Sequence, residues 1–226
     1  MAYAVALSQE DEEQTIFLPK FEGGDAGLTV DMEFNGRIIR GADLSGCLLV
    51  GRPIPPELFG SVPKRIIIPK DNEKYLPDFG VGPSGGFHLV SEAFVDIVQR
   101  LEPSRHQFLP IAETLDSGRT LINKRYFIMN IYTRINAVDI GHSTVRVEER
   151  ERILRIGTER KTITIKTMHW QTGTRKLVFK REQLEGRHIW RGTTEDIVEI
   201  GFSEELFRAV HTAGLSPLSY MRAEEI

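Results

Sequence analysis

Apolar positions along the chain fall into short runs of two periodicities. Phe87-His88-Leu89-Val90 reads as a strand and leads into Ser91-Glu92, after which Phe94, Ile97, Val98 and Leu101 recur at i, i+3, i+4 and i+7. That spacing is one face of a helix over about 92–101. Ser91 can cap it, because its hydroxyl can accept from an orphan first-turn N–H, and Glu92 opposes the positive end of the helix dipole. Pro103 stops the helix, and 105–111 reads as a strand. The plan recurs near the end. Ile197–Ile200 predicts a strand, Ser203-Glu204-Glu205 a cap, and Leu206, Phe207, Val210 and Ala213 the apolar side of a helix over about 204–213. Gly214 then stands where a helix end needs a positive φ, and 218–221 reads as a closing strand.

The middle of the chain is strand-rich. Tyr126–Tyr132 is almost continuously apolar, which suits a central strand covered on both faces. Lys161–Lys166 and Arg175–Lys180 both alternate, with Gly173 between them, and predict a 161–180 hairpin in the main sheet. Residues 143–156 support two readings: Val145 and Val147 alternate as in a strand, whereas Glu148/Arg152 and Glu151/Arg155 have the i,i+4 order of a helix. Seven of the eleven prolines lie in 53–83, which argues against interior helix there. Lys64–Ile68 is the convincing strand of that stretch. Leu58, Phe59, Tyr75, Leu76 and Phe79 make it a wrapping connection with core contacts rather than a linker. The pattern as a whole predicts an α+β fold, a single domain with a mixed, mostly antiparallel sheet and two short helices. Within it, residues 1–60 form an acidic N-terminal segment packed on a main domain of 61–226.

Composition narrows the class. With 226 residues, 40% hydrophobic and 27% charged, the chain is an ordinary globular one. It has no run of 18 apolar residues and no basic n-region before its first apolar run, so neither a membrane span nor a secretory signal is expected. The lone Cys47, in an apolar setting, predicts a buried inert thiol and a reducing, cytoplasmic compartment. Charge is uneven. Residues 1–35 hold eight acids and one base, a net of −7, in a chain whose overall net is −3. The segment is either a solvated front or a surface that steers a cationic partner.

Chemistry is sparse. Gly82-Pro83-Ser84-Gly85-Gly86 spells the nucleophile elbow, and Gly80–Gly85 spells G-x-G-x-x-G. Both need a helix immediately after the loop, and here a strand follows. The six histidines have no pair at metal-ligand spacing, so no metal and no cofactor are expected. Asp78 and Asp139 are acids in apolar surroundings, read as caps of backbone N–H groups with catalysis as the alternative. Trp190 with Arg191 is either an interface anchor or a core ring flanked by a solvated cation.

A set of ordered features resembles the eleventh immunity-protein family of bacterial polymorphic toxin systems, formerly described as a domain of unknown function. They are Pro77-Asp78-Phe79, Leu89-Val90-Ser91-Glu92, His106-Gln107-Phe108-Leu109-Pro110, Tyr126–Asn130 with Ala137-Val138-Asp139, His188-Ile189-Trp190-Arg191, and Ser203–Leu206 with Ala213-Gly214-Leu215. The likeness covers about 76–220. The first 60 residues lie outside it, and Pro217 stands where the family more often has glycine. The resemblance implies a non-enzymatic bacterial protein that binds and neutralises a cognate toxin, encoded by a neighbouring gene. Under that reading Glu10, Asp11, Glu12, Glu13, Asp31 and Glu33 are candidate partner-binding residues, together with Trp190 and Arg191. The rival expectation is an enzyme or small-ligand binder using the 78–90 loop and Asp139.

Overall fold

Ala2-Tyr3-Ala4-Val5-Ala6 alternates small residues with larger ones, and in the computed structural model it is a strand. The structure describes residues 1–6, 20–24, 30–34, 37–42, 44–68, 77–81, 88–156, 159–171, 175–192, 200–215 and 219–226. In chain order the elements begin with β1 (Ala2–Ala6), β2 (Lys20–Glu22), β3 (Val30–Phe34), β4 (Arg37–Ala42) and α1 (Leu44–Val50). A 3-10 helix (Pro56–Ser61), β5 (Arg65–Ile68), β6 (Phe79–Val81), β7 (His88–Ser91) and α2 (Glu92–Leu101) follow. Next come β8 (Gln107–Pro110), β9 (Glu113–Asp116), β10 (Tyr126–Asn130), β11 (Arg134–Ile135), β12 (Val145–Ile156) and β13 (Glu159–Trp170). The chain ends with β14 (Val178–Phe179), α3 (Arg181–Leu184), β15 (Ile189–Gly192), β16 (Ile200–Ser203), α4 (Glu204–Thr212) and β17 (Ser219–Glu225). The class is α+β with mostly antiparallel pairing. Among the described residues no helix is long and apolar enough to cross a membrane.

Contacts group the chain into two units. One holds the described parts of Met1–Ala6, Arg134–Phe207 and Ser219–Ile226, and the other those of Leu7–Thr133 and Arg208–Leu218. In the first, six strands run in the order β11-β15-β16-β1-β17-β14. β1 is antiparallel to both neighbours, with Ala4 opposite Gly201 on one side and Met221 on the other. Trp190 is opposite Gly201 in the next strand. A Cβ at residue 201 would overlap the Trp190 Cε2, so the indole lies directly over the glycine. Ala2, Ala4, Trp190, Phe179 and Ala223 share one core cluster on this side.

In the second unit, four antiparallel strands run β6-β7-β10-β8. β10 is central, as its continuous apolar character predicts, and Tyr126, Ile128 and Met129 are fully buried. Burial drives the Tyr126 phenol well above its ordinary pKa, because ionisation would strand a charge in apolar surroundings. β5 pairs antiparallel with β2 and parallel with β9. The core here also takes Cys47, Leu48, Leu58, Ile66, Ile68 and Leu89. The expected burial of Cys47 and Leu58 holds. Phe59 is 45% exposed, against expectation, because the 3-10 turn that buries Leu58 sends its neighbour outward. Tyr75 and Leu76 lie outside the described residues.

Both predicted helices form. Ser91 Oγ accepts from the Phe94 N–H at 3.4 Å, and Ser203 Oγ from the Leu206 N–H at 3.1 Å. Gly214 ends α4's region with φ +66°. Four positions differ from expectation. Leu101, the last residue of α2, is only half-buried, and Val95 is buried in addition to Phe94, Ile97 and Val98, because the apolar arc is wider than one i, i+3, i+4 stripe. Phe207 is half-buried and Ala213 exposed, while Leu206 and Val210 take the buried side of α4. The strand before α4 is described at Ile200–Ser203, and 197–199 lie outside the described residues.

The 161–180 hairpin is corrected. Residues 159–170 pair with 145–156 in a two-stranded ribbon of twelve pairs, Val145 opposite Trp170 and Ile156 opposite Glu159. The ambiguous 143–156 stretch is therefore a strand from Val145 onward. Val178 and Phe179 instead pair in parallel with Glu224 and Glu225 of β17. The i,i+4 charge order that mimicked a helix is compatible with a strand, where residues two apart share a face and cross-strand partners such as Glu149 and Lys166 supply opposite charge.

The Trp190–Gly201 approach gives a stability test. Gly201→Ala inserts a methyl where the indole already sits, so urea denaturation should show a loss of at least about 1–3 kcal/mol with an unchanged m-value.

Candidate partner-binding surface

Among the described residues, three titratable pairs that resemble catalytic machinery also hold the backbone. His106 is fully buried, with Nε2 2.6 Å from Glu102 Oε2, and the Tyr132 N–H donates to its Nδ1 at 3.2 Å. An Nδ1 that accepts fixes the tautomer with hydrogen on Nε2, so the ring donates to Glu102 and has no lone pair left for a substrate proton. Arg105 Nη1 donates to the second carboxylate oxygen at 3.2 Å. The cluster ties the end of α2, where Glu102 is the C-cap, to the backbone after β10.

Ser203 and His188 also suggest a nucleophile and base, with Oγ 3.0 Å from Nδ1. Glu205 Oε2 lies 3.7 Å from the same Nδ1. Ser203 Oγ is in addition the α4 cap. Asp139 is a cap as well. Its Oδ1 accepts from the His142 N–H at 3.0 Å and meets His142 Nδ1 at 3.0 Å. That ring contact, followed by the backbone N–H and Lys180, holds the Asp139 carboxyl below the ordinary aspartate range. Asp78 accepts the Ser91 N–H on its backbone carbonyl, and Lys124 Nζ lies 3.5 Å from its Oδ1. Ser84 and the rest of 82–87 lie outside the described residues. Among the described residues, no three His, Cys, Asp or Glu side chains converge as metal ligands would.

The candidate partner-binding residues fall in different places. Glu10, Asp11, Glu12 and Glu13 lie outside the described residues, and Asp31 and Glu33 are on β3, which pairs with β4. Trp190 is 1% exposed and meets Phe179 edge-on at 5.8 Å, so it is a core ring and not a surface anchor. It lines a cavity of about 550 Å³ with Ala2, Leu184, Arg187 and Ser203. Arg191 is half-buried and stands opposite Arg134 in the parallel β11–β15 pair. Burial, with Arg191 alongside, lowers Arg134 to a pKa of about 10, which leaves its guanidinium charged at neutral pH.

A surface feature that pattern reading missed lies on the other face of the six-stranded sheet. Tyr3 stacks on Phe207 at 4.0 Å and 18°, and Tyr220 meets both rings edge-on, at 5.4 Å from Tyr3 and 4.4 Å from Phe207. Tyr220 is 50% exposed, and Tyr3 and Phe207 are half-buried. Three rings from β1, α4 and β17 thus make one surface cluster, with Arg222 opposite Tyr3 in the register. Tyrosine and arginine are over-represented among residues that dominate binding energy at interfaces. The meeting of β1 with residues 207 and 220 was not legible in sequence, because some 200 positions separate them.

The Asp139 geometry fixes a pH dependence. A folded pKa below the unfolded value of about 3.9 gives stability that is complete above that pH and is lost as pH falls through the lower folded value. Asp139→Ala should therefore melt below wild type at pH 5, and the gap should close on acidification below about pH 3.9 in thermal scans.

Compared with protein families, the chain matches the immunity protein family Imm11 over residues 33–225. A comparison with curated proteins gave no match.

Proposed function

The chain belongs to the Imm11 immunity protein family, and from that premise we propose that it protects its bacterial producer by binding a cognate toxin stoichiometrically, without catalysis. The family match over most of the chain carries this reading. The geometry supports it, because the His106–Glu102, Ser203–His188 and Asp139–His142 pairs are each engaged in capping or anchoring backbone. The toxin is a cytoplasmically acting protein encoded by the adjacent gene, and the immunity protein meets it in the cytoplasm. No observation favours the rival enzyme reading through Asp139, whose carboxylate is occupied by its own turn. Co-expression decides the matter: the toxin gene should arrest growth alone, and growth should be restored when this protein is present at equimolar level. Rescue at strongly substoichiometric protein would instead indicate enzymatic detoxification.

Two kinds of contact hold the toxin under this proposal. The acidic residues Glu10, Asp11, Glu12 and Glu13, with Asp31 and Glu33, form a rim that steers a cationic surface, and Arg191 adds a polar contact. Tyr220, with Tyr3 and Phe207, supplies the aromatic anchor. The two roles separate kinetically. In surface plasmon resonance, charge reversal at residues 10–13 should slow association at low salt and much less at high salt. Tyr220→Ala should leave association nearly unchanged and speed dissociation by a factor equivalent to about 2 kcal/mol.

A further inference from the structure

β17 has β1 along one side and β14 along the other, but β14 reaches only its end. The Glu224 N–H donates to the Leu177 carbonyl at 3.0 Å, and the Ile226 N–H donates to the Phe179 carbonyl at 3.1 Å. Backbone groups alternate sides along a strand, so the N–H and C=O of Tyr220 and Arg222 point the same way as those of Glu224. Met221 and Ala223 point to β1, where they stand opposite Ala4 and Ala2. On the outward side β14 pairs with Glu224 and Glu225 alone. Among the described residues nothing pairs with the backbone of Tyr220 or Arg222 there. An open lane along residues 219–222, about 13 Å long, therefore continues the sheet past the end of β14.

The edge specifies its occupant. N–H and C=O groups at strand spacing are satisfied together by an extended backbone. The two side chains that flank the lane share one face and both are exposed: Tyr220, in contact with Tyr3 and Phe207, and Arg222. Among the described residues the Arg222 guanidinium bonds only to the Met1 sulfur, a weak acceptor, and no carboxylate pairs with it. A strand with an apolar residue beside Tyr220 and an acid beside Arg222 completes the ladder, covers the rings and neutralises the cation. So short an edge buries far less than the roughly 1,200 Å² of a stable interface. A second copy joined here alone falls short of that area, whereas a toxin held also at the acidic rim adds the remainder.

We propose that the open edge of β17 at residues 219–222 takes an extended strand of the cognate toxin by main-chain pairing, with the Tyr3, Phe207 and Tyr220 rings as the seat for one of its side chains. The inference rests on the immunity reading above and states how the toxin meets this surface. Amide hydrogen exchange by NMR tests it on the full chain, with and without the toxin from the adjacent gene. In the free protein the Met221 and Ala223 amides should be protected, and those of Tyr220 and Arg222 should exchange rapidly. Binding should slow the Tyr220 and Arg222 amides by about a hundredfold or more, since a paired strand gives each an acceptor and contact with the rings alone does not. Arg222→Pro removes an N–H that the β1 ladder does not use. It should weaken binding by about a hundredfold or more, against about tenfold for Arg222→Ala. The exchange measurement is made on wild type and decides the matter whatever the stability of the proline variant. If the toxin is bound and neutralised while both amides still exchange rapidly, strand addition is wrong and the immunity reading stands. If wild type neither binds nor protects, the immunity reading falls, and this inference with it. A free protein that sediments as a dimer with both amides already protected would overturn the proposal in favour of a second copy.

Discussion

Placement of β1 between β16 and β17 is the constraint on which the six-stranded sheet depends. Residues 2–6 pair with 200–203 on one side and 219–223 on the other, so the ends of the chain must meet before the sheet exists. The sequence of β1 suits this place. Its alanines lie on the face where the Trp190 indole occupies the space over Gly201, and the larger Tyr3 lies on the opposite face against Phe207. A row of tryptophan, glycine and alanine across three strands packs because the bulk of one residue fills the room left by the other two. Closing contacts about 200 residues apart costs loop entropy, which the burial of Trp190, Ile200 and Phe202 must offset.

That arrangement has consequences for function on both sides of the sheet. One side is committed to packing, so Trp190 cannot serve as an anchor even though its residue type and its arginine neighbours suggested one. The other side leaves Tyr3, Phe207 and Tyr220 in mutual contact at the surface. Under the proposed role a presented surface does the work, and the polar clusters serve the fold. Glu102 with His106 closes a helix end, and Asp139 and Ser203 cap a turn and a helix.

Local chemistry determined a good deal by itself. The helices at 92–101 and 204–213, their serine caps, the positive φ at Gly214, the buried Cys47 and the central strand at Tyr126 all follow from periodicity and capping, whose range is a turn or two of chain. The family likeness was legible over 76–220, because it rests on residues in order along the chain, but the family match also takes in 33–60, which the sequence reading had left outside it. Tertiary structure alone decided strand partners. The alternation of 161–166 fits 175–180 and 145–156 equally well, since a strand's pattern states which face is buried and not which neighbour lies beside it. It also decided which rings are core and which are surface, because Trp190 and Tyr220 differ in what distant strands bring against them. Pairing and exposure are properties of contacts between remote segments, and a single sequence encodes those contacts only through the fold they produce.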